Sequence, residues 1–332
     1  MTFRMPRPCR TEFAYGAGRS QRIRPVRSSP IARHALTVVV MNEYDPRLRA
    51  LTRLLYVPVV VVVASYGIGV LGPRRPLWVP VTVVVVAAIT FLAERVAPHR
   101  KSWNTRGVGF GADAISAGVN ESLTALGVMA APFVGRSLSL GVWPAEAPQW
   151  IRLLVAVMVL DAGVTIAHWW SHRRMMLWRF HAVHHSADRL YGLNGLMKHP
   201  FHLAFETIIG MTPLILMGID SVTAAALAGL VAVQLVLQHA NVEYRVGKLG
   251  RWLAWNAGHR LHHVADETEG NVNFGLFTLV WDRLLGTYRF PVVSVSPPVV
   301  GLTNRQPPSR YFEQLAIPWE VNHSGSNTAS TS

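Results

Sequence analysis

The chain of 332 residues contains a single cysteine, Cys9, and only three lysines, Lys101, Lys198 and Lys248. One thiol excludes an intrachain disulfide, a zinc ribbon and a protein-bound iron–sulfur cluster. Any redox centre must therefore use nitrogen or oxygen ligands and take its electrons from another protein. Acidic residues are scarce as well, 18 against 32 Lys+Arg, for a net charge of +14. That charge does not make a nucleic-acid module. The arginines collect in the N-terminal stretch and in loops beside apolar blocks, with no stacking aromatics in a soluble domain, so no nucleic-acid partner is expected. The HExxH pattern of zinc hydrolases is absent, and no internal repeat occurs.

What the sequence has instead is long apolar runs. Pro58 to Gly72 and Leu77 to Ala93 are apolar on every helical face, which suits lipid contact; a soluble helix shows one apolar stripe. A first span is expected from Leu54 to Leu71 and a second from Leu77 to Leu92, joined by the turn Gly72-Pro73-Arg74-Arg75-Pro76. Residues 108–142, interrupted by Asp113, Asn120 and Glu121, read as a partly buried third membrane element. Trp150 to Trp170 is a clear span. Pro200 to Glu243, broken by Pro213, Gly218 and Asp220, reads as a helical hairpin that returns to the side from which it entered. Arg95, Arg100, Lys101 and Arg106, with the N-terminal arginines, outweigh Arg74 and Arg75, so both ends of the first hairpin should face the cytoplasm.

The expected fold is thus all-α, a polytopic membrane helical bundle with a cytoplasmic histidine-rich helical cap. Its parts are a basic, disordered tail (1–50), an N-terminal transmembrane region (51–149), a catalytic region (150–290) and a loose Pro/Ser-rich C-terminal tail (291–332). Leu36 to Val40 is too short for a secretory h-region. Met41 offers an alternative translation start, a reading that a peptide from residues 1–40 in purified protein would refute.

The chemistry lies in the histidines. Of 14, all but His34, His99 and His323 fall between His168 and His263. Three clusters have ligand spacing: His168/His172 (HxxxH), His181/His184/His185 (HxxHH) and His259/His262/His263 (HxxHH). Residues at i, i+3 and i+4 share a helix face, so each cluster can present two or three imidazoles to neighbouring ions. Imidazole suits zinc, copper, iron and nickel alike. Eight such ligands exceed the needs of one ion, and two ions sharing the set is the economical answer. A lone histidine near a membrane surface is ordinarily interfacial, and the three outliers receive no role. Trp169, Trp170 and Trp178 read first as interfacial anchors.

The order HxxxH, HxxHH, HxxHH, with eight residues between His172 and His181, resembles the fatty acid hydroxylase/sterol desaturase superfamily of integral membrane proteins. Further matches are Asp161, Leu177-Trp178-Arg179-Phe180-His181, Lys198-His199-Pro200, His239-Ala240-Asn241, Asn273-Phe274-Gly275 and Trp281 to Tyr288. Trp169 and Met197 stand where the family often has arginine, which bears on head-group contacts more than on metal binding. The resemblance implies His168, His172, His181, His184, His185, His259, His262 and His263 as metal ligands, with His239 a ninth and His199 a tenth. His202 matches no motif position and reads as a neighbour of His199. The resemblance also implies a di-iron centre that hydroxylates or desaturates a lipid C–H bond with O₂. Zinc lacks the redox chemistry for that reaction. Electrons would come from a separate ferredoxin, rubredoxin or cytochrome b5-type donor, and no distinct cofactor-binding residues are expected. Asp161, Glu206, Glu243 and Asn241 are candidates for orienting ligand rings from behind. The arginine bias is associated with GC-rich bacterial genomes, so the expected location is a bacterial cytoplasmic membrane with the histidine boxes inside.

Two other readings stay open at this level. One is a zinc-dependent membrane hydrolase, which would not need so many ligands. The other is a non-catalytic or transporting His-rich membrane protein, whose sites would sit nearer the bilayer midplane.

Overall fold

Asp45 opens the first helix: its carboxylate accepts from the Arg47 N–H at 2.9 Å, and Pro46 follows at a position where no N–H is needed. The structure, a computed structural model, describes residues 45–104, 109–244, 247–290, 299–302 and 306–320. The N-terminal tail and the alternative start at Met41 lie outside the described residues, as do His34 and His323.

Helix α1 (Pro46–Ala64) continues as a π-helical stretch, Ser65–Leu71, past Pro58. A tight turn leads to α2 (Trp78–Val96). Then come α3 (Phe110–Leu138), α4 (Gln149–Ser171) and the short α5 (Met175–His185). Helices α6 (Pro200–Met217) and α7 (Ser221–His239) form the expected hairpin, with left-handed Gly218 ending the first and Asp220 capping the second. Beyond them lie α8 (Asn256–His262), α9 (Val280–Leu285) and α10 (Tyr311–Glu320). Among the described residues the only β structure is isolated bridges.

Five helical segments are long and apolar enough to cross a membrane: Pro46–Leu71, Trp78–Val96, Gln149–Ser171, Pro200–Met217 and Ser221–His239. Their outer faces leave large apolar side chains uncovered, among them Leu54 (70%), Val84 (68%) and Ile208 (62% exposed). Such a continuous apolar surface is a lipid-facing one. Helix α7 is the exception, with 67% of its apolar window buried against 22–39% in the others; it is the axis of the bundle. Gly163 in α4 lets α6 approach backbone to backbone, since a Cβ there would stand 2.7 Å from the Gly210 Cα.

Helix α3 is not among the five. Two of its polar residues, Asp113 and Asn120, point inward and are bonded: the Tyr191 hydroxyl donates to Asp113 at 2.5 Å and Gln314 Nε2 donates to the same carboxylate at 2.7 Å. Asn120 Nδ2 donates to the Leu196 and Lys198 carbonyls at 2.9 and 3.0 Å. Gln314 belongs to α10, which corrects the loose-tail expectation for residues 311–320. The Pro/Ser-rich stretches on either side suggested looseness, yet Ile317 packs fully buried with Ala182 and Val183 of α5.

One end of the bundle gathers the chemistry. The C-terminal ends of α2, α4 and α7 meet there with the N-terminal ends of α1 and α6. Arg49 and Arg53 of α1 pair with Glu243. The buried carboxylate of Glu94, in α2, accepts from the Gly192 and Asn241 N–H groups at 2.7 and 2.9 Å.

Candidate metal centre

At that end nine imidazoles converge in two adjoining groups. His168, His172, His181, His185 and His262 form one; His184, His239, His259 and His263 form the other. Within each group the ligand atoms all lie within 4.8 Å of one another. The two HxxHH boxes cross over. His181 and His185, one helical turn apart on α5, enter the first group, while His184, about 100° around the helix from His185, enters the second. On α8 the assignment reverses: His259 and the following His263 join the second group and His262 the first. The groups touch where the rings of His185 and His263 stack, 4.4 Å between centroids.

The tautomers follow from the outer partners. Carbonyl oxygens only accept, so a ring nitrogen facing one must carry the proton. His168 Nδ1 donates to the Phe274 carbonyl (2.8 Å), His184 Nδ1 to Met197 (3.0 Å), His239 Nδ1 to Leu235 (2.9 Å) and His262 Nδ1 to Val272 (2.9 Å). Each Nε2 is then a bare lone pair, and these lone pairs face one another. His239 Nε2 lies 3.2 Å from that of His184, 3.1 Å from that of His263 and 3.1 Å from that of His259. In the first group the Nε2 contacts are His168–His181 and His181–His185 at 3.0 Å and His185–His262 at 3.1 Å. Too few protons are available to bridge so many close contacts, and buried lone pairs repel. Nitrogens about 3 Å apart share a point about 2 Å from each, the length of a metal–imidazole bond. The residues present therefore fit one metal ion per group. The donors are all nitrogen, and nothing in their geometry chooses among iron, copper and zinc.

Burial and the neighbouring imidazoles hold His181, His184, His185, His259 and His263 well below the usual imidazole range, and burial lowers His262 to about 4. Neutral rings are the coordinating form. The sign follows directly. Between the unfolded value near 6.5 and about 4, the unfolded chain binds a proton at His262 that the fold does not, so stability drops as pH falls through that window. His262 alone accounts for roughly 3 kcal/mol. The metal-free protein is expected to melt at steadily lower temperature from pH 6.5 towards 4; a flat profile in a detergent-solubilised melting series would contradict it.

The loops that aim the rings are themselves held by buried carboxylates. Asp161, in α4, accepts from the N–H groups of Leu276 (3.1 Å), Phe277 (2.7 Å) and Thr278 (3.0 Å) and from the Thr278 hydroxyl (2.7 Å). Asp282 accepts from the Phe274 and Gly275 N–H groups at 2.7 and 2.8 Å. Together they fix the segment whose Phe274 carbonyl orients His168. Asn241 bonds the backbone of Arg100 and the side chain of Asn104, and Glu243 pairs with arginines; neither side chain is bonded to a ring. Gly195 presses on His239: a Cβ there would stand 2.3 Å from the Leu235 carbonyl oxygen and 2.7 Å from His239 Nδ1. Gly195→Ala should displace His239 and lower retained metal by about half, as read by metal analysis of the purified variant.

His199 is not brought to either group. It caps α6, its Nδ1 accepting from the Phe201 N–H at 3.1 Å, among Phe180, Phe201 and Trp319. His202, for which the sequence offers no motif position, is fully buried and packs on His181, 4.4 Å between ring centroids. Its Nε2 meets the Ser171 hydroxyl at 2.9 Å, and its Nδ1 is 3.8 Å from Glu206. His181, His202 and Glu206 form a further possible ligand trio, but the Lys198 ammonium already pairs with Glu206 there, and a cation would have to displace it.

Residues 153–287 match the family model for fatty acid hydroxylase. The ornithine lipid hydroxylase OlsE of Rhizobium tropici is 30% identical over 246 residues, 70% of this chain and 72% of that protein. The chain belongs to the fatty acid hydroxylase family. Within it, similarity extends to a very-long-chain aldehyde decarbonylase of Oryza sativa subsp. indica (GL1-9), 26% identical over 42% of this chain and 55% of that protein. An alkylglycerol monooxygenase of Danio rerio is 27% identical over 44% of this chain and 31% of that protein. No solved structure matches. The stretch matching the hydroxylase family contains all nine converging histidines, whereas α1 and α2 lie outside it.

Proposed function

We propose that this chain is a multi-pass membrane oxygenase that hydroxylates a lipid C–H bond with O₂ at a pair of iron ions. The observation that carries the reading is the position of the nine imidazoles, just beyond the polar end of an apolar cavity lined by α3, α4, α6 and α7. His168, His172, His181, His185 and His262 would hold one iron, and His184, His239, His259 and His263 the other. When bound, the iron pair supplies the one-electron and dioxygen chemistry that no side chain here can perform. The protein's own residues do the rest. Main-chain carbonyls lock the ring tautomers, Asp161 and Asp282 fix the loop that carries one of those carbonyls, and the apolar helices admit the lipid while limiting water at the rings.

Hydroxylation is favoured over desaturation because two of the relatives described above are named as a hydroxylase and a monooxygenase. The groups lie at helix ends and not mid-span, which favours catalysis over transport, and a hydrolase needs far fewer ligands. Arg49, Arg53, Arg95, Arg100, Arg173 and Arg174 stand at or beside the helix ends nearest the metal centre, against Arg74, Arg75, Arg136 and Arg152 at the other. This supports placing the centre on the cytoplasmic face of a bacterial membrane, where a soluble ferredoxin, rubredoxin or cytochrome b5-type donor can reach it. The test is lipid mass spectrometry of cells expressing wild type or His262→Ala, with iron analysis of both proteins. About two irons per wild-type chain and a +16 lipid absent from the variant are expected. Turnover without oxygen, or zinc as the active metal, would overturn the proposal.

A further inference from the structure

A cavity of about 370 Å³ runs between α3, α4, α6 and α7. Its walls are apolar over most of their length, with Leu123, Val128, Leu160, Ile208, Met211 and Val231 among them. At one end it changes character, and only there does it carry charge: Glu121, Lys198 and Glu206, with Asn120 beside them. Lys198 and Glu206 also line a second, small space of about 20 Å³ whose other walls include His168, His181, His184 and His259. Such a space holds about one small molecule. The polar residues therefore stand between the apolar cavity and the imidazoles.

The polar end is incomplete as it stands. Asn120 is 3% exposed. Its Nδ2 is committed to two carbonyls, which leaves Oδ1 inward, buried and without a partner. A buried acceptor without a donor is costly and is ordinarily matched by something. Glu121 lines the same end with no hydrogen bond or ion pair among the described residues. Lys198 is already paired with Glu206, so the Glu121 carboxyl is left without an ion-pair partner of its own among the described residues. The missing group is thus a hydrogen-bond donor, and a cationic one is best.

We propose that Asn120, Glu121 and the Lys198–Glu206 pair form a recognition site for an ammonium group of the lipid substrate, with Asn120 Oδ1 accepting from an amide N–H beside it. The apolar chain lies along the cavity, and oxidation falls on a carbon within a few bonds of that nitrogen, not at mid-chain. This rests on the oxygenase reading for its chemistry and on the cavity alone for its binding.

The test compares two isosteric probes, N-hexadecanoyl-ornithine and N-hexadecanoyl-norleucine, which differ by an ammonium in place of a methyl group. Binding to the full-length protein in lipid nanodiscs is measured without reductant, and product position is then read by tandem mass spectrometry after turnover. Wild type is expected to bind the ornithine probe roughly tenfold more tightly or better, as a buried charged hydrogen bond implies. Glu121→Gln, which breaks no existing bond, should erase that preference, and Asn120→Leu should weaken both probes through the lost amide contact. A melting curve for each variant separates misfolding from lost recognition. Equal binding of the two probes by wild type, or an undiminished preference in folded Glu121→Gln, would overturn the proposal, as would hydroxylation at mid-chain. Selective binding with no oxidation of either probe would sink the oxygenase reading and leave the recognition site standing.

Discussion

His239→Ala is expected to lower the metal content from about two ions per chain to about one and to cut lipid hydroxylation by more than a hundredfold. His239 Nε2 is the nitrogen that three others surround, at 3.1–3.2 Å. Losing a residue that merely orients a ligand costs about 10–100-fold in metal affinity or activity, so removing the most central ligand of a four-nitrogen group should cost more. The first group shares none of these four rings and should keep its ion. His199→Ala provides the contrast. Its ring lies outside both groups and caps α6, so it should lose about 1 kcal/mol of stability and leave metal content unchanged. Metal analysis of the two purified variants decides the matter. Equal metal loss in both would mean that the ring groups are not the binding sites.

Asp161→Ala should be the most destabilising single change outside the rings, by about 3–5 kcal/mol, since each buried donor left unpaired costs about 1–3 kcal/mol. Its carboxylate accepts four hydrogen bonds from Leu276, Phe277 and Thr278 while wholly buried. Alanine would strand three main-chain N–H groups and a hydroxyl, each carrying its own desolvation penalty. Asp161→Asn keeps one oxygen and should lose roughly half as much. Because the same loop presents the Phe274 carbonyl to His168, the alanine variant should also retain less metal in the first group. The measurement is melting temperature in detergent together with metal per chain. A variant that melts like wild type would show that the loop is held by other means.

The spans were legible because an apolar run of membrane length has few soluble alternatives, and α1, α2, α4, α6 and α7 fall where the runs lie. Eight of the nine converging rings were legible because i, i+3 and i+4 spacing on a helix leaves little choice of face. Other features were less so. Asp113 and Asn120 look like interruptions in α3, yet both point inward to partners distant in sequence. Asp161 was visible as a carboxylate near a ligand box, but its partners are 115–117 residues away. Residues 311–320 lie between Pro/Ser-rich stretches and read with them as a tail, yet they form a helix that packs Ile317 against α5.

Periodicity and ring chemistry, which are local, determined that this chain crosses a membrane and presents clustered imidazoles at the ends of its helices. The fold alone decided which rings gather together, splitting each HxxHH box between two groups. It also decided that His202 and not His199 reaches His181, because Pro200 starts a helix that leaves His199 as its cap and turns His202 inward. The carbonyls of Phe274, Met197, Leu235 and Val272 lock the tautomers, and no sequence could have singled them out. Every residue has a carbonyl, and only the packing of distant segments chooses the ones that matter.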